Sequence, residues 1–179
     1  NWSSTVNGTI NAYLIAGNWK LAAGRQFSDD EERAGKAVCI IGNTVKKELF
    51  GGQSPLGNSI RVKAFDCEVI GVLAAKGQGG MGQDQDDTVL IPMRTAQRRL
   101  TGTLDVGSIM VSLKDTTDSA VVMTQLRSLL RERRKLDDNV DDNFNVMDTK
   151  QIAETLSGTI RTMTALLGAV AAVSLLVGG

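Results

Sequence analysis

Apolar positions fall first into short runs and alternations, then into two longer stretches of helical period, so the chain predicts alternating strands and helices. Lys36 to Ile41 is an apolar run closed by Gly42 and reads as a buried strand. Asn43 is placed to cap a short helix through Phe50, and Gly51-Gly52 stops it. Ser54-Pro55-Leu56-Gly57 reads as a turn. Ser59 to Lys63 alternates polar and apolar residues, and Glu68 to Leu73 is rich in β-branched ones. With Phe65-Asp66 between them, these two segments predict a hairpin. Thr88 to Ile91 is a further strand closed by Pro92, followed by a short helix over Arg94 to Leu100. Ile109, Val111 and Leu113 alternate within Gly107 to Leu113, which predicts a half-buried strand.

The later half has a stronger helical period. Asp118 is a suitable N-cap for a helix reaching about Lys135, with Val122, Leu126, Leu129 and Leu130 on one face. Arg131, Arg133, Arg134 and Lys135 occupy its last turn, where cations suit the helix dipole. Asp137, Asp138, Asp141 and Asp142 form a solvated loop, and Asn143 to Met147 reads as a strand. Asp148 then caps a final helix, with Gln151 at the capping-box position. Nothing from Thr149 to Gly179 breaks helical propensity decisively, which predicts a rod of about 46 Å at 1.5 Å per residue. Thr162 to Gly179, TMTALLGAVAAVSLLVGG, carries no charged residue. A membrane-crossing helix needs about 20 mostly apolar residues, so this stretch reads as the start of a span. A buried C-terminal helix of a soluble protein is the alternative, and the small residues Gly168, Ala169, Ala171, Ala172 and Ser174 would suit close packing in either setting.

Composition then narrows the function. The 179 residues leave room for one domain or two small ones. Twenty basic and 20 acidic residues balance to zero net charge, without the basic excess expected of a nucleic-acid binder. Residues 1–20 lack a basic region followed by an apolar one, and the abrupt start reads as that of an excised fragment. Asn1-Trp2-Ser3 and Asn7-Gly8-Thr9 match the short N-glycosylation pattern, which recurs by chance. There is no histidine, which removes Ser-His-Asp and Cys-His nucleophile systems and the commonest metal ligand. Carboxylate-only or lysine-based catalysis stays open. Cys39 and Cys67 are too few for a structural zinc site. Each lies in an apolar strand-like run. They read either as two small buried residues or as a disulfide between neighbouring strands in an oxidising compartment.

The segment KGQGGMGQDQDD, Lys76 to Asp87, is the main candidate for a functional site. No Gly-Lys-Ser/Thr follows it, so it is not a phosphate-binding loop. Asp84, Asp86 and Asp87 lack the EF-hand spacing and its final Glu. The reading is a mobile, surface-exposed loop between two strands, with Gln78, Met81, Asp84 and Asp86 as the residues that contact a partner. No catalytic, cofactor or metal residue is assigned. The run Arg94 to Arg99 reads as the exposed face of a short helix.

The order LAAGRQFSDDE, AVCIIGNTVKKELFGGQSPLGNSIRV, CEVIGVL and KGQGGMGQDQDDTVLIP resembles the periplasmic core domain of MacB-type ABC transporter permeases, within the FtsX-like superfamily. TMTALLGAVAAVSLLVGG resembles the start of the second membrane span of that family. The resemblance covers nearly the whole chain. It implies an α+β fold of two small α/β lobes with a long C-terminal helix leading into the membrane. Residues 1–20 would be an N-terminal strand segment of a membrane-proximal lobe, 21–103 an inserted lobe, 104–148 the proximal lobe, and 149–179 a stalk helix with the start of a span. It further implies a bacterial inner-membrane protein with this domain in the oxidising periplasm, which bears on Cys39 and Cys67. The implied function is to pass ATP-driven conformational change to substrate or a periplasmic adaptor, in a homodimeric permease whose ATPase lies in a separate domain or subunit. No cofactor is implied. A lipoprotein-releasing permease of the same superfamily is a second reading. A membrane-anchored extracytoplasmic enzyme is a third, and it needs a cleft of converging acids where the sequence offers surface-like Asp runs.

Overall fold

A computed structural model describes residues 2–79, 82–114, 116–149, and 159–168 apart from 161 and 165. It divides into two units, Asn1–Ser112 and Leu113–Gly179. The first unit contains β1 (Thr5–Thr9), α1 (Asn11–Ala16), β2 (Leu21–Gly24), α2 (Asp29–Ala34), β3 (Val38–Ile41), α3 (Asn43–Phe50), β4 (Ser59–Val62), β5 (Phe65–Leu73), β6 (Thr88–Pro92) and α4 (Met93–Ala96), with a π-helical turn over Gln97–Thr101. The second contains α5 (Ser119–Arg133).

All six strands make one mixed sheet in the order β1-β6-β3-β5-β2, with β4 also paired to β5. β1 runs parallel to β6 and β3 parallel to β5, whereas β3–β6, β2–β5 and β4–β5 are antiparallel. β5 is the organising strand because its nine residues carry β4 on the first half and β2 on the second, with β3 on the other side.

The apolar pattern sorts side chains to the two faces. Cys39 and Ile41 of β3, Val89 and Ile91 of β6, and Phe65, Cys67 and Val69 of β5 pack on one face with Val45 of α3 and Ala96 of α4. Val38, Ile40, Ile70, Leu73 and Leu90 pack on the other with Leu14 of α1 and Phe27. Every residue of β3 and β6 is buried, so both strands read as unbroken apolar runs rather than alternations. A register shift opposite Cys39/Ile40 changes the two-residue phase of β5, so Val69 and Val72, three residues apart, share one face while Ile70 and Leu73 share the other.

Several expectations change. Gly42, not Asn43, is the N-cap of α3, and Asn43 is its first helical residue. Phe65 and Asp66 belong to β5, paired with Val62 and Arg61, so the hairpin turns at Lys63-Ala64, where Lys63 takes a φ of 50°. The helix after β6 is only four residues before it widens into the π-helical turn, which Gly102 ends in the left-handed conformation. Gly107–Leu113 forms no strand: Ile109 is 73% exposed, and no strand among the described residues pairs with the segment. Asn143–Met147 likewise joins no ladder, although its burial alternates residue by residue as an extended segment's does. The alternation in both was real, but a strand needs a neighbour to complete its hydrogen bonds. β1 pairs with β6, so residues 1–20 share a sheet with residues 21–103, which the family analogy assigns to a separate lobe.

In the second unit, Asp118 caps α5 by accepting from Ala120 N at 2.9 Å, as its position predicted. Arg127 and Arg131 hold Asp142 at 3.1 and 2.6 Å, and Arg131 also donates to the carbonyls of Asp137 and Val140. The acidic loop is thus tied to the end of α5. Thr149 is helical, as are the described residues of 159–168. Gln151 and residues 169–179 lie outside the described residues. Among the described residues no helix is long and apolar enough to cross a membrane.

Candidate functional site

The segment between β5 and β6 is built more firmly than its glycines and glutamines suggest. Asp86 is 5% exposed, and its carboxylate accepts from the backbone N–H of Lys76 at 2.8 Å and of Gly77 at 3.0 Å. This closes the base of the loop. Its own N–H donates to Asp84 Oδ1 at 2.9 Å, and Asp84 Oδ2 accepts from Thr44 Oγ1 at 2.6 Å. Thr44 N donates to the carbonyl of Asp86 at 3.2 Å. The loop is therefore seated on the N-terminal end of α3. The Thr44 hydroxyl, followed by the Asp86 N–H, holds the exposed Asp84 carboxyl below the usual carboxylate range.

Gly42 makes that seat. A Cβ there would lie 2.0 Å from the carbonyl oxygen of Asp86, so only glycine lets the backbones approach this closely. Its N–H donates to Thr88 O at 2.8 Å, joining the end of β3 to the start of β6.

Above the base the loop continues as a small hairpin. Gln78 and Asp84 form an antiparallel bridge, Gly79 N donates to Gln83 O at 2.8 Å, and Gly82 N donates to Gly79 O at 2.9 Å. Two tryptophans flank it. The Lys76 ammonium stands 3.9 Å from the centroid of the Trp19 ring and donates to Gly17 O. Packing there pushes the Lys76 pKa down, against the opposing pull of Asp86. Trp2 Nε1 donates to Asp87 Oδ1 at 2.9 Å.

Gln78 and Asp84 are thus exposed and adjacent, while Met81 lies outside the described residues. Asp86 corrects the sequence reading: it is a buried anchor, because two backbone donors at the neck of the loop need its carboxylate. Sequence reasoning also missed Thr44 and Gly42, which lie far from the loop along the chain.

A second polar knot lies at the opposite end of the sheet's connections. Ser28 and Glu31 form a reciprocal capping box at the start of α2. Glu31 is 6% exposed and grips Arg25 in a bidentate pair at 2.7 and 2.8 Å. The Arg25 guanidinium, followed by the Ser28 donors against the opposing effect of burial, lowers the Glu31 pKa to about 2. Glu32 accepts from Asn11 N at 2.6 Å, and Asn11 Nδ2 donates to Phe27 O, which fixes α1 to the same turn. The Ser28-x-x-Glu31 spacing is the sequence signature of such a box.

Cys39 and Cys67 face the same core layer, with Cα atoms 5.9 Å apart and sulfurs in bonding contact. That separation suits a disulfide. Across these sites the carboxylates are occupied by the chain's own donors, so the arrangement holds loops in place.

Comparison with known proteins places the chain in a family. The model of the MacB-like periplasmic core domain matches residues 1–129. The macrolide export ATP-binding/permease protein MacB of Bdellovibrio bacteriovorus is 38% identical over all of this chain and 28% of its own length. The protein of the same name from Rhodospirillum rubrum is 40% identical over all of this chain and 27% of its own length. The chain therefore spans little more than a quarter of these relatives. The crystal structure of the periplasmic region of MacB from Actinobacillus actinomycetemcomitans aligns with a TM-score of 0.71 at 25% identity, covering 87% of this chain and 67% of that one. The extracellular domain of the ABC-type transporter YknZ shares the fold, with a TM-score of 0.63 at 23% identity over 80% of this chain and 69% of that one. The fold is α+β, and the chain belongs to the MacB-like periplasmic core domain family.

Proposed function

We propose that this chain is the periplasmic domain of an ABC exporter permease and that it passes ATP-driven conformational change to substrate or to a periplasmic adaptor. The carrying observation is the similarity along the whole chain to proteins named as macrolide export ATP-binding/permease proteins. In this reading the permease is a homodimer in a bacterial inner membrane, with an ATP-binding domain or subunit on the other side. Residues 149–179 lead into the membrane. The chain carries out no chemistry of its own.

The geometry supports a transmitting body. Such a body must keep its shape under load, and a mixed sheet with cores on both faces does so. The seat of the loop on α3 and the Arg25–Glu31 knot remove soft joints between strands and helices. Gln78 and Asp84 on the seated hairpin are the proposed adaptor-contact residues, with Met81 between them in sequence. The Cys39–Cys67 disulfide is proposed to lock β3 to β5.

Insertion of Gly-Gly at Thr155 of the full-length permease tests the transmission. The expected result is retained ATP hydrolysis with lost export, since two glycines weaken a helix. Undiminished export would overturn the proposal.

A further inference from the structure

Cys39 and Cys67 are both 0% exposed. Cys39 lies opposite Val69 in the parallel β3–β5 pairing, so Cys67 is its diagonal neighbour two residues back along β5. Both strands are inner ones: β3 is flanked by β6 and β5, and β5 by β3 on one side and by β4 and β2 on the other. The same core layer holds Val45 of α3 and Ala96 of α4, so these two helices cover the pair. Each helix is tied down. The start of α3 is held by the Thr44 hydroxyl on Asp84 and by Gly42 N on Thr88 O. α4 is held by the fully buried Thr95, which donates through Oγ1 to Lys36 O at 2.8 Å, and just beyond it Arg98 Nη1 donates to Ala34 O at 2.9 Å.

Thiol–disulfide exchange needs a thiolate to touch a sulfur, so its rate follows access. In the closed fold neither sulfur meets that condition. Thiols buried in apolar surroundings are moreover held in their unreactive, protonated form. The bond therefore has to be made on a chain over which α3 and α4 have not yet closed. The oxidant is itself a disulfide. The thiolate of one cysteine attacks it, joins one of its sulfurs and releases the other as a thiolate. The thiolate of the second cysteine then attacks the first cysteine's sulfur and releases the remaining oxidant sulfur. Two electrons and two protons pass from the cysteines, and the oxidant's disulfide ends as two thiols.

We infer that Cys39 and Cys67 are the substrate of a disulfide-exchange reaction that acts only on the open chain, after which α3 and α4 seal the bond from reductants. The pair is then a permanent tie and not a redox switch. The inference rests on the disulfide proposed above. The test treats the 179-residue chain with dithiothreitol and counts freed thiols by the mass added on alkylation with iodoacetamide. Reduction in buffer should be at least about a hundredfold slower than in concentrated urea, because only opened molecules react. At intermediate urea its rate should rise with the unfolded fraction measured by circular dichroism. The reduced chain, folded in trimethylamine N-oxide and then given oxidised glutathione, should keep its two thiols at least about tenfold longer than the chain given glutathione in urea. Comparable rates in either comparison overturn the inference and leave the disulfide standing. Two thiols in the untreated, denatured chain would remove the disulfide itself, and the inference with it.

Discussion

Replacing Glu31 by Gln should show how much of the fold depends on one buried charge. Gln can keep the capping-box bond to Ser28 N, so the helix cap survives and the charge on the Arg25 pair is what is lost. The Glu31 pKa falls from its ordinary 4.5 to about 2. At 1.36 kcal/mol per pH unit that is ~3 kcal/mol. Arg25 is 55% exposed at its side chain, so solvent screening reduces the figure to ~1.5 kcal/mol. The sign follows from the lowered pKa: the contribution is present above 4.5 and is lost as pH falls through about 2. Urea unfolding followed by fluorescence of Trp2 and Trp19 at a series of pH values should therefore show a gap of ~1.5 kcal/mol between the parent and Glu31→Gln at neutral pH. The gap should shrink steadily between pH 4.5 and about 2. A gap equally large at about pH 2.5 and at neutral pH would refute the reasoning, since the loss would then be one of packing.

Three further outcomes are expected. Gly42→Ala, which places a Cβ 2.0 Å from Asp86 O, should cost ~2–3 kcal/mol and expose the 76–87 loop to proteolysis, measured by urea unfolding and limited digestion. Asp86→Ala should cost ~1–3 kcal/mol by stranding the N–H groups of Lys76 and Gly77, whereas the exposed Lys47→Gln should stay within about 0.5 kcal/mol. Thiol titration of the denatured, unreduced chain should find no free thiol, and reduction should lower stability by ~3–4 kcal/mol for a closed loop with a sequence separation of 28.

What the sequence made legible was set by range. β3, β6 and α3 are bounded by glycine or proline, and α5 by its Asp118 cap, and these local signals survive folding. β2 was missed because LAAG has only one large apolar residue and owes its strand to pairing with β5. α1 begins without a side-chain cap and is held from outside by Glu32, so no local signal announced it. The 76–87 loop was found as a candidate, but its order was not. Glycine-rich composition says how freely a segment can bend, while its actual order comes from Thr44 and Gly42 some forty residues away. Gly107–Leu113 shows the converse, an alternation that has no ladder to join among the described residues.

The central claim is that the first unit moves as one body when ATP is turned over elsewhere in the permease. Spin–spin distances in the full-length dimer, reconstituted in membranes, test it most directly. Labels at Asp30→Cys on α2 and Glu48→Cys on α3 report the interior of the unit, and Glu48→Cys alone reports the separation of the two copies. Trapping ATP is expected to shift the distance between copies by several ångströms and to leave the distance within the unit unchanged. An unchanged separation between copies during active export, or a shift confined within the unit, would contradict it.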